Sequence, residues 1–226
     1  MNNLMKMEEE GELVFNKHSI FGIKLNTDGY GISYEKGKYK SNTLTTIYQF
    51  ELNEKKSPRE IKVSAAASAD GVSSYIPGKE NNFFQFKMSA GQQRRLGGKG
   101  NKNGVAVTYL YTGGLSVGIL KPYLINVVDK YNNSFQSSYP TIIDSNYTET
   151  GAAGFFTGWG QLKVKPGLNA KTAMRFDYGR FNESITAIEV GVSAEYYFSK
   201  IPQMIIIPEK HFFFNGYVTI LFGKRK

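Results

Sequence analysis

Two histidines, His18 and His211, are the only side chains in this sequence of the type that serves as a general base near neutral pH. A hydrolase built on a Ser–His–Asp triad would therefore have to use one of them. Both fall at the start of a predicted strand, and neither lies in a recognisable nucleophile motif. Two histidines without a nearby carboxylate pattern also make a weak metal site. We therefore predict no catalytic residue, no metal ligand and no cofactor.

The Gly- and Lys-rich segment Leu96–Asn103 is the second place where chemistry could reside. It lacks the Gly-x4-Gly-Lys-Ser/Thr order that holds nucleotide phosphates, so we predict a flexible turn. The sequence contains no cysteine, which excludes disulfides, thiolate metal sites and cysteine nucleophiles. The net charge of +9 has no accompanying basic helix or nucleic-acid motif. Contact with anionic lipid phosphates, or simply a soluble basic surface, are the two remaining explanations.

Charged residues at alternate positions of apolar segments form the third candidate site. Residues two apart share one face of a strand, so these charges face away from their apolar neighbours. They could line an ion path, but the interior of a barrel of eight to ten strands is nearly filled by side chains. We therefore predict a structural network of charges in the lumen, made of Lys87, Arg175, Asp177, Glu189 and Glu195.

Period-two alternation of apolar residues runs through most of the chain and predicts the strands that position these charges. The apolar residues occupy odd positions in Phe21–Leu25 and even positions in Tyr30–Tyr34, so the parity changes across residues 26–29. A hairpin at this turn, with Leu25 facing Tyr30, explains the change, and a β-bulge is the alternative. Further strands are predicted at about residues 43–52, 84–89, 105–119, 155–164, 170–178, 184–198 and 211–222.

The number of strands depends on how two segments are divided. Val105–Ile119 keep one parity, but a strand of this length exceeds the roughly ten residues that cross a bilayer. We therefore predict two strands joined around residues 112–114, and a turn at residues 166–167. The count is then ten strands, or eight if the hairpins are wrong. Polar residues predict long loops at Asn53–Asn82 and Asp129–Thr150, which the ten-strand count places on opposite sides.

The alternation fits both a soluble barrel, with its apolar face inside, and a transmembrane barrel, with that face outside. Three features favour the transmembrane barrel. The charged face is rich in Gly and Ser and mixes both charge signs, which suits a narrow lumen. The chain ends in an alternating strand with Phe222 close to its end. The apolar faces end in aromatic residues, as an interfacial girdle would, at Tyr30, Tyr34, Tyr109, Tyr111, Tyr178, Tyr196 and Phe198.

Three segments, Phe21–Tyr39, Lys56–Glu60 and Phe84–Val127, resemble uncharacterised outer-membrane β-barrels of Bacteroidota in texture and short motifs. The strand over residues 215–222 is similar to the C-terminal insertion signal of outer-membrane barrels. The resemblance implies a single antiparallel up-and-down barrel that is integral to a bacterial outer membrane. It implies no reaction.

We therefore predict an all-β protein with a flexible extension over residues 1–17 and one transmembrane barrel over residues 18–226. Met1–Glu10 contain no apolar segment of a signal peptide, so we expect the numbering to start on a processed or re-engineered chain. The predicted function is a non-catalytic structural or accessory subunit of an envelope assembly for secretion, barrel insertion or uptake. The predicted partners are outer-membrane lipids, lipopolysaccharide and other outer-membrane or periplasmic proteins, without nucleic acid.

Two alternatives belong to other functional classes. The first is a lipid-modifying hydrolase of the outer membrane that uses His18 or His211. The second is a soluble, lipocalin-like carrier of a small apolar ligand.

Overall fold

A computed structural model describes residues 15–65, 73–98, 104–142, 147–179 and 183–226 of the chain. Most of the predicted extension lies outside these ranges. The described residues contain thirteen strands, one helical turn α1 (Tyr139–Ile142) and one 3₁₀ turn (Trp159–Gln161). No helix among the described residues is long and apolar enough to span a membrane. The strands are β1 (Lys17–Asn26), β2 (Gly29–Tyr39), β3 (Leu44–Lys55), β4 (Val63–Ser64), β5 (Ser74–Tyr75), β6 (Asn81–Gly97), β7 (Ala106–Pro122), β8 (Leu124–Val128), β9 (Ser134–Ser138), β10 (Thr148–Ala152), β11 (Lys163–Asp177), β12 (Ser184–Ile201) and β13 (Lys210–Arg225).

Eight of these strands close into one antiparallel barrel in the order β1-β2-β3-β6-β7-β11-β12-β13, and β13 pairs back with β1. The all-β class and the single antiparallel barrel are therefore confirmed. The strands are staggered around the barrel. The pairing register measures this stagger. Following the residues paired with Ile23 from strand to strand leads to Pro166 on β11 by way of β2, and to Phe176 on β11 by way of β13. The two end points differ by ten residues. Such a stagger tilts every strand relative to the barrel axis.

The predicted hairpin at residues 26–29 is confirmed. Asn26 pairs with Gly29 and Leu25 faces Tyr30, so the two-residue turn itself produces the change of apolar parity. Because side chains alternate across a strand, this register keeps Ile23 and Ile32 on the same outer face.

The predicted division at residues 112–114 is wrong, because β7 continues without a break from Ala106 to Pro122. Gly114 lies within the sheet, where an added Cβ would stand 2.0 Å from the carbonyl oxygen of Met88. The glycine therefore allows two backbones to approach and does not mark a turn. A tilted strand also extends beyond the minimum length that crosses a bilayer.

The predicted turn at residues 166–167 is wrong for a related reason. β11 runs through both residues, and the predicted strand at 155–164 is instead a set of turns as far as Leu162. The pairing of β11 with β12 begins only at Gly167. Pro166 therefore lies where one ladder has already ended, a place where its missing N–H is tolerated. These two corrections reduce ten strands to the observed eight.

The long connections, residues 56–80 and 123–162, leave the barrel at the same end, which we call the loop end. The expectation that they lie on opposite sides is wrong, because it followed from the division predicted at residues 112–114, which placed an extra strand between the two connections. The opposite end, which we call the terminal end, carries the described chain termini and the connections after β2, β6 and β11. Of the predicted turn Leu96–Asn103, Leu96 and Gly97 belong to β6, and residues 99–103 lie outside the described part.

The connection between β7 and β11 is folded. Strands β8, β9 and β10 form a three-stranded sheet in the order β10-β8-β9, which we call the cap sheet. Its small core consists of Ile125, Val127 and Ile142, with Tyr75 and Tyr123 packed against it. The prediction of a long polar loop at Asp129–Thr150 is therefore wrong where β9 and the start of β10 lie. Strand β9 has the sequence Ser-Phe-Gln-Ser-Ser and carries no alternation that would have indicated a sheet.

Candidate functional site: the charged lumen and the outer wall

The barrel has an inverted distribution of polarity. Along β12, Glu189 is 2% exposed and Glu195 is buried, whereas the intervening Val190 is 46% exposed and Val192 also faces outward. On the other strands of the barrel the outward face is likewise mainly apolar, and the inward face carries the buried charged and amide side chains together with apolar residues such as Ile47, Leu110 and Tyr217. Most of the buried charged side chains therefore face the interior of the barrel.

Arg175 holds the part of the lumen nearer the terminal end. Its guanidinium donates to Glu35 through Nη1 at 2.8 Å and Nη2 at 2.7 Å. It also donates to Oε2 of Glu189 through Nε at 3.0 Å and Nη2 at 2.7 Å. His18 extends this cluster, with Nε2 at 2.8 Å from Oε1 of Glu35. One planar guanidinium thus joins two carboxylates from different strands, because its N–H donors point in fixed directions that allow bidentate hydrogen bonds.

A lysine cluster continues the network toward the middle of the lumen. Lys171 lies 3.5 Å from Glu189 and 2.7 Å from Glu51, and Glu51 also accepts from Lys24 at 2.8 Å. The Lys24 ammonium stands 3.9 Å from the ring centroid of Tyr217, a cation–π contact. These contacts join β1, β3, β11, β12 and β13 across the barrel.

Glu195 carries the network toward the loop end. Lys87, which also lies 4.0 Å from Glu51, donates to Oε1 of Glu195. Lys55 lies 3.0 Å from Glu195 and 2.8 Å from Asp28. The contacts therefore form one continuous chain of alternating charges from Glu35 to Asp28. Five cations and five carboxylates belong to it, so their formal charges cancel: Lys24, Lys55, Lys87, Lys171 and Arg175 with Asp28, Glu35, Glu51, Glu189 and Glu195.

The structure places all five predicted lumen residues inside the barrel wall. It brings Lys87, Arg175, Glu189 and Glu195 into the continuous network. Asp177 pairs with Arg225 at the terminal end. Six residues of the charge network were not predicted from the sequence. The available signal was their position, because each lies at an alternate position that faces inward. These six are Lys24, Asp28, Glu35, Glu51, Lys55 and Lys171.

Gly37 shows how tightly the lumen is packed. A Cβ added there would lie 2.1 Å from the His18 imidazole, which Glu35 and the ring of Tyr39 hold in place. We expect Gly37→Ala to lower the free energy of unfolding by about 1–3 kcal/mol, the usual cost of overpacking. Gly113→Ala is the matched control, since its Cβ would meet only the Asn169 carbonyl oxygen at 3.7 Å. Equal denaturation midpoints for the two variants would contradict this packing.

All seven predicted girdle residues are exposed on the outer wall. Strand direction divides them into two groups. Tyr109, Tyr111 and Tyr178 lie in the half of the barrel nearer the terminal end, Tyr34 lies at the centre of β2, and Tyr30, Tyr196 and Phe198 lie in the half nearer the loop end.

The single tryptophan, Trp159, extends the aromatic surface at the loop end and was missed. It stacks on Phe84 with ring centroids 6.2 Å apart, and its indole N–H donates to the Phe155 carbonyl oxygen at 3.1 Å. Its neighbour Phe156 is also exposed. The signal was a lone Trp in a Gly- and Phe-rich segment, which had been assigned to a strand.

The two histidines lie in opposite halves of the barrel and cannot share a site. His18 contacts Glu35 near the terminal end, whereas His211 lies near the loop end with Nδ1 2.9 Å from the carbonyl oxygen of Tyr197. Within the described ranges, no group of three His, Asp or Glu side chains is placed to hold a metal ion.

A cleft of about 580 Å³ separates the connections at the loop end. On one wall Lys79 pairs with Glu60 at 2.6 Å, and on another Lys121 donates to the Phe155 carbonyl oxygen. Tyr123 accepts the Ile76 N–H at 3.1 Å, and burial raises the pKa of its hydroxyl. The Ile76–Tyr123 hydrogen bond, together with that from the Tyr75 hydroxyl to Glu149 at 3.3 Å, attaches the cap sheet to the connection between β3 and β6.

The turn before β9 is fixed by one carboxylate. Asp129 accepts the backbone N–H groups of Tyr131 at 2.7 Å and Asn133 at 2.9 Å, together with the Asn133 side-chain amide. Hydrogen bonds from Asn133 hold the pKa of Asp129 below its usual value. The tip of the cap sheet is therefore ordered although it is exposed.

Comparison with known proteins gives a likeness of fold. No protein-family model and no curated protein sequence matches the chain. Among solved structures, Ail of Yersinia pestis in complex with the heparin analogue sucrose octasulfate has 12% identity and a TM-score of 0.43, over 94% of this chain and 100% of that chain. Neisserial surface protein A has 9% identity and a TM-score of 0.45, over 94% and 97%. The N-terminal barrel domain of Pseudomonas aeruginosa OprF has 8% identity and a TM-score of 0.41, over 92% and 98%.

Proposed function

We propose that this chain is an integral outer-membrane barrel that acts as a non-catalytic structural or accessory subunit of an envelope assembly. The observation that carries the proposal is the inverted polarity of the wall, with apolar side chains outward and charges inward. Monomeric soluble proteins rarely expose apolar surface on this scale. Lipid is the solvent that favours it.

The charged lumen separates this proposal from a soluble carrier. A carrier of a small apolar ligand needs an interior lined mainly by apolar side chains. Here the middle of the lumen is occupied by Glu51, Lys171 and Glu189, which are held by ion pairs on several sides. The middle of the lumen is thus occupied by a neutral, cross-linked network, which supports a structural role for the barrel.

The shape of the barrel supports an orientation. Transmembrane barrels of this class have short periplasmic turns and longer extracellular loops. The terminal end accordingly faces the periplasm in this proposal, and the cap sheet projects outside the cell. The cap sheet exposes aromatic side chains, with Tyr131 87% exposed and Phe135 and Tyr147 also accessible. Aromatic residues on a rigid scaffold commonly carry protein recognition, so we assign partner binding to this sheet.

We expect replacement of residues 124–152 by a Gly/Ser linker to remove co-purifying envelope proteins and leave the barrel closed. The cap sheet forms its own small core, so its removal spares the eight barrel strands. The measurement is native purification from membranes followed by mass spectrometry, with heat-modifiable gel mobility as the test of barrel closure.

The matched control replaces the connection at residues 40–43, at the opposite end, by the same type of linker. We expect this control to keep every partner. The accessory role would be refuted if the cap-sheet variant retained all partners of the wild type, or if the control lost the same ones.

A further inference from the structure

The outer wall has a cleft of about 720 Å³ near the terminal end, formed by β1, β2 and β13. The register places lysines side by side there. Lys17 stands directly opposite Lys38, and Ser19 stands between Lys36 on one side and Lys224 on the other. Like charges directly opposite each other on neighbouring strands are destabilising. A row of this kind therefore indicates that an anion from outside the chain compensates it.

The lysines of the cleft differ from those of the lumen in their partners. Every lysine of the lumen network contacts a carboxylate, as described above. In the described ranges, no Asp or Glu lines the cleft, and no ion pair involves any of its five lysines. All five side chains are exposed: Lys17, Lys36, Lys38, Lys224 and Lys226. The cleft thus holds a concentrated positive charge beside an apolar wall.

The rows next to the lysines change in polarity step by step toward the middle of the barrel. After the lysine rows comes an aromatic row, in which Phe21 faces Tyr34 and Phe222. The following row is aliphatic, with Ile23 between Ile32 and Ile220. This order matches the parts of a phospholipid. The lysines correspond to its phosphate, the aromatic row to its glycerol esters, and the aliphatic row to its acyl chains.

Ser19 gives the cleft its depth. Its short side chain lies between two long ones, so Lys36 and Lys224 flank a notch with a hydroxyl at its floor. A hydroxyl donates one hydrogen bond, and each ammonium donates up to three. The notch therefore offers several donors to an oxyanion that approaches along the wall.

We propose that this cleft binds the phosphate of an anionic glycerophospholipid in the periplasmic leaflet. Lys36 and Lys224 contact the phosphate from either side, Ser19 donates to it, and the acyl chains extend over Phe21 toward Ile23. This site rests on the proposed membrane location and adds to it a lipid class, a leaflet and a place on the barrel wall.

The test uses the full chain in detergent, titrated with phosphatidylglycerol or phosphatidylcholine of identical acyl chains and measured by native mass spectrometry. The wild type is expected to bind phosphatidylglycerol more tightly. Each lysine near an anionic lipid surface contributes about a fivefold gain in affinity, so Lys36→Gln with Lys224→Gln is expected to weaken this binding about 20- to 30-fold. Lys36→Arg with Lys224→Arg is expected to retain it.

The control variant combines Lys163→Gln and Lys200→Gln, two exposed lysines at the other end of the barrel. It is expected to bind phosphatidylglycerol as the wild type does. The site would be refuted by equal affinity of the wild type for the two lipids, by a control as weak as the test variant, or by full competition from inorganic phosphate. If the protein needs detergent but shows no lipid preference, only this site fails. If it stays monodisperse without detergent, the membrane location fails as well.

Discussion

Arg175→Ala is expected to lower the free energy of unfolding by about 3–5 kcal/mol, because it leaves buried carboxylates without their shared cation. Arg175, Glu35 and Glu189 are each at most 3% exposed by their side chains, and the guanidinium makes four hydrogen bonds to the two carboxylates. Among the described residues, no lysine and no second arginine pairs with Glu35, whose Oε1 also lies 2.8 Å from Nε2 of His18. Urea unfolding in detergent, followed by heat-modifiable gel mobility, measures the loss.

Met174→Ala provides the matched control, since it changes the adjacent residue on the opposite face of β11. Met174 is half exposed on the outer wall, so its truncation is expected to cost about 1 kcal/mol or less. Combining Arg175→Ala with Glu189→Ala is expected to cost clearly less than the sum of the two single variants, because the second change removes one of the stranded charges. Equal losses for Arg175→Ala and Met174→Ala would place both side chains in similar surroundings and contradict the observed parity.

Alternation in the sequence was sufficient to predict the faces of the strands. Lys87, Arg175, Glu189 and Glu195 were assigned to the lumen from their position between apolar neighbours, and all four lie in one network. Side-chain parity is a local property with a period of two, so a single strand reveals it. The hairpin at residues 26–29 was predictable for the same reason, because its turn residues and the change of parity lie within a few positions of each other.

Pairing between distant strands could not be predicted. The contact between Glu51 and Lys171 joins residues 120 positions apart, and the contact between Arg175 and Glu35 spans 140 positions. No local pattern specifies such partners, since they follow from closure of the barrel and from its stagger. The strand breaks predicted at residues 112–114 and 166–167 were wrong for the same reason. Whether a strand can contain a glycine or a proline depends on the strands that pair with it, as they do at Gly114 and Pro166.

Val190→Arg tests whether lipid covers the outer wall. Val190 lies in the middle of β12, is 46% exposed, and pairs with Met174 and Val218, which are also apolar and outward-facing. An arginine facing lipid at the midplane of a transmembrane barrel costs about 2–4 kcal/mol. We therefore expect a loss of this size when the variant is refolded into bilayers and unfolded with denaturant. On a wall covered by water the same change would alter the stability by less than about 0.5 kcal/mol.

Thr186→Arg, four residues earlier on the same outer face of β12, isolates the effect of depth. It lies close to the terminal end, where a charge reaches the interface and the cost falls to about 0–1 kcal/mol. A soluble barrel predicts no difference between the two positions, because water covers both equally. A large loss for Val190→Arg with a small one for Thr186→Arg is therefore the pattern that only a lipid environment produces. Two equally small losses would remove the basis for the membrane location, although the fold itself would stand.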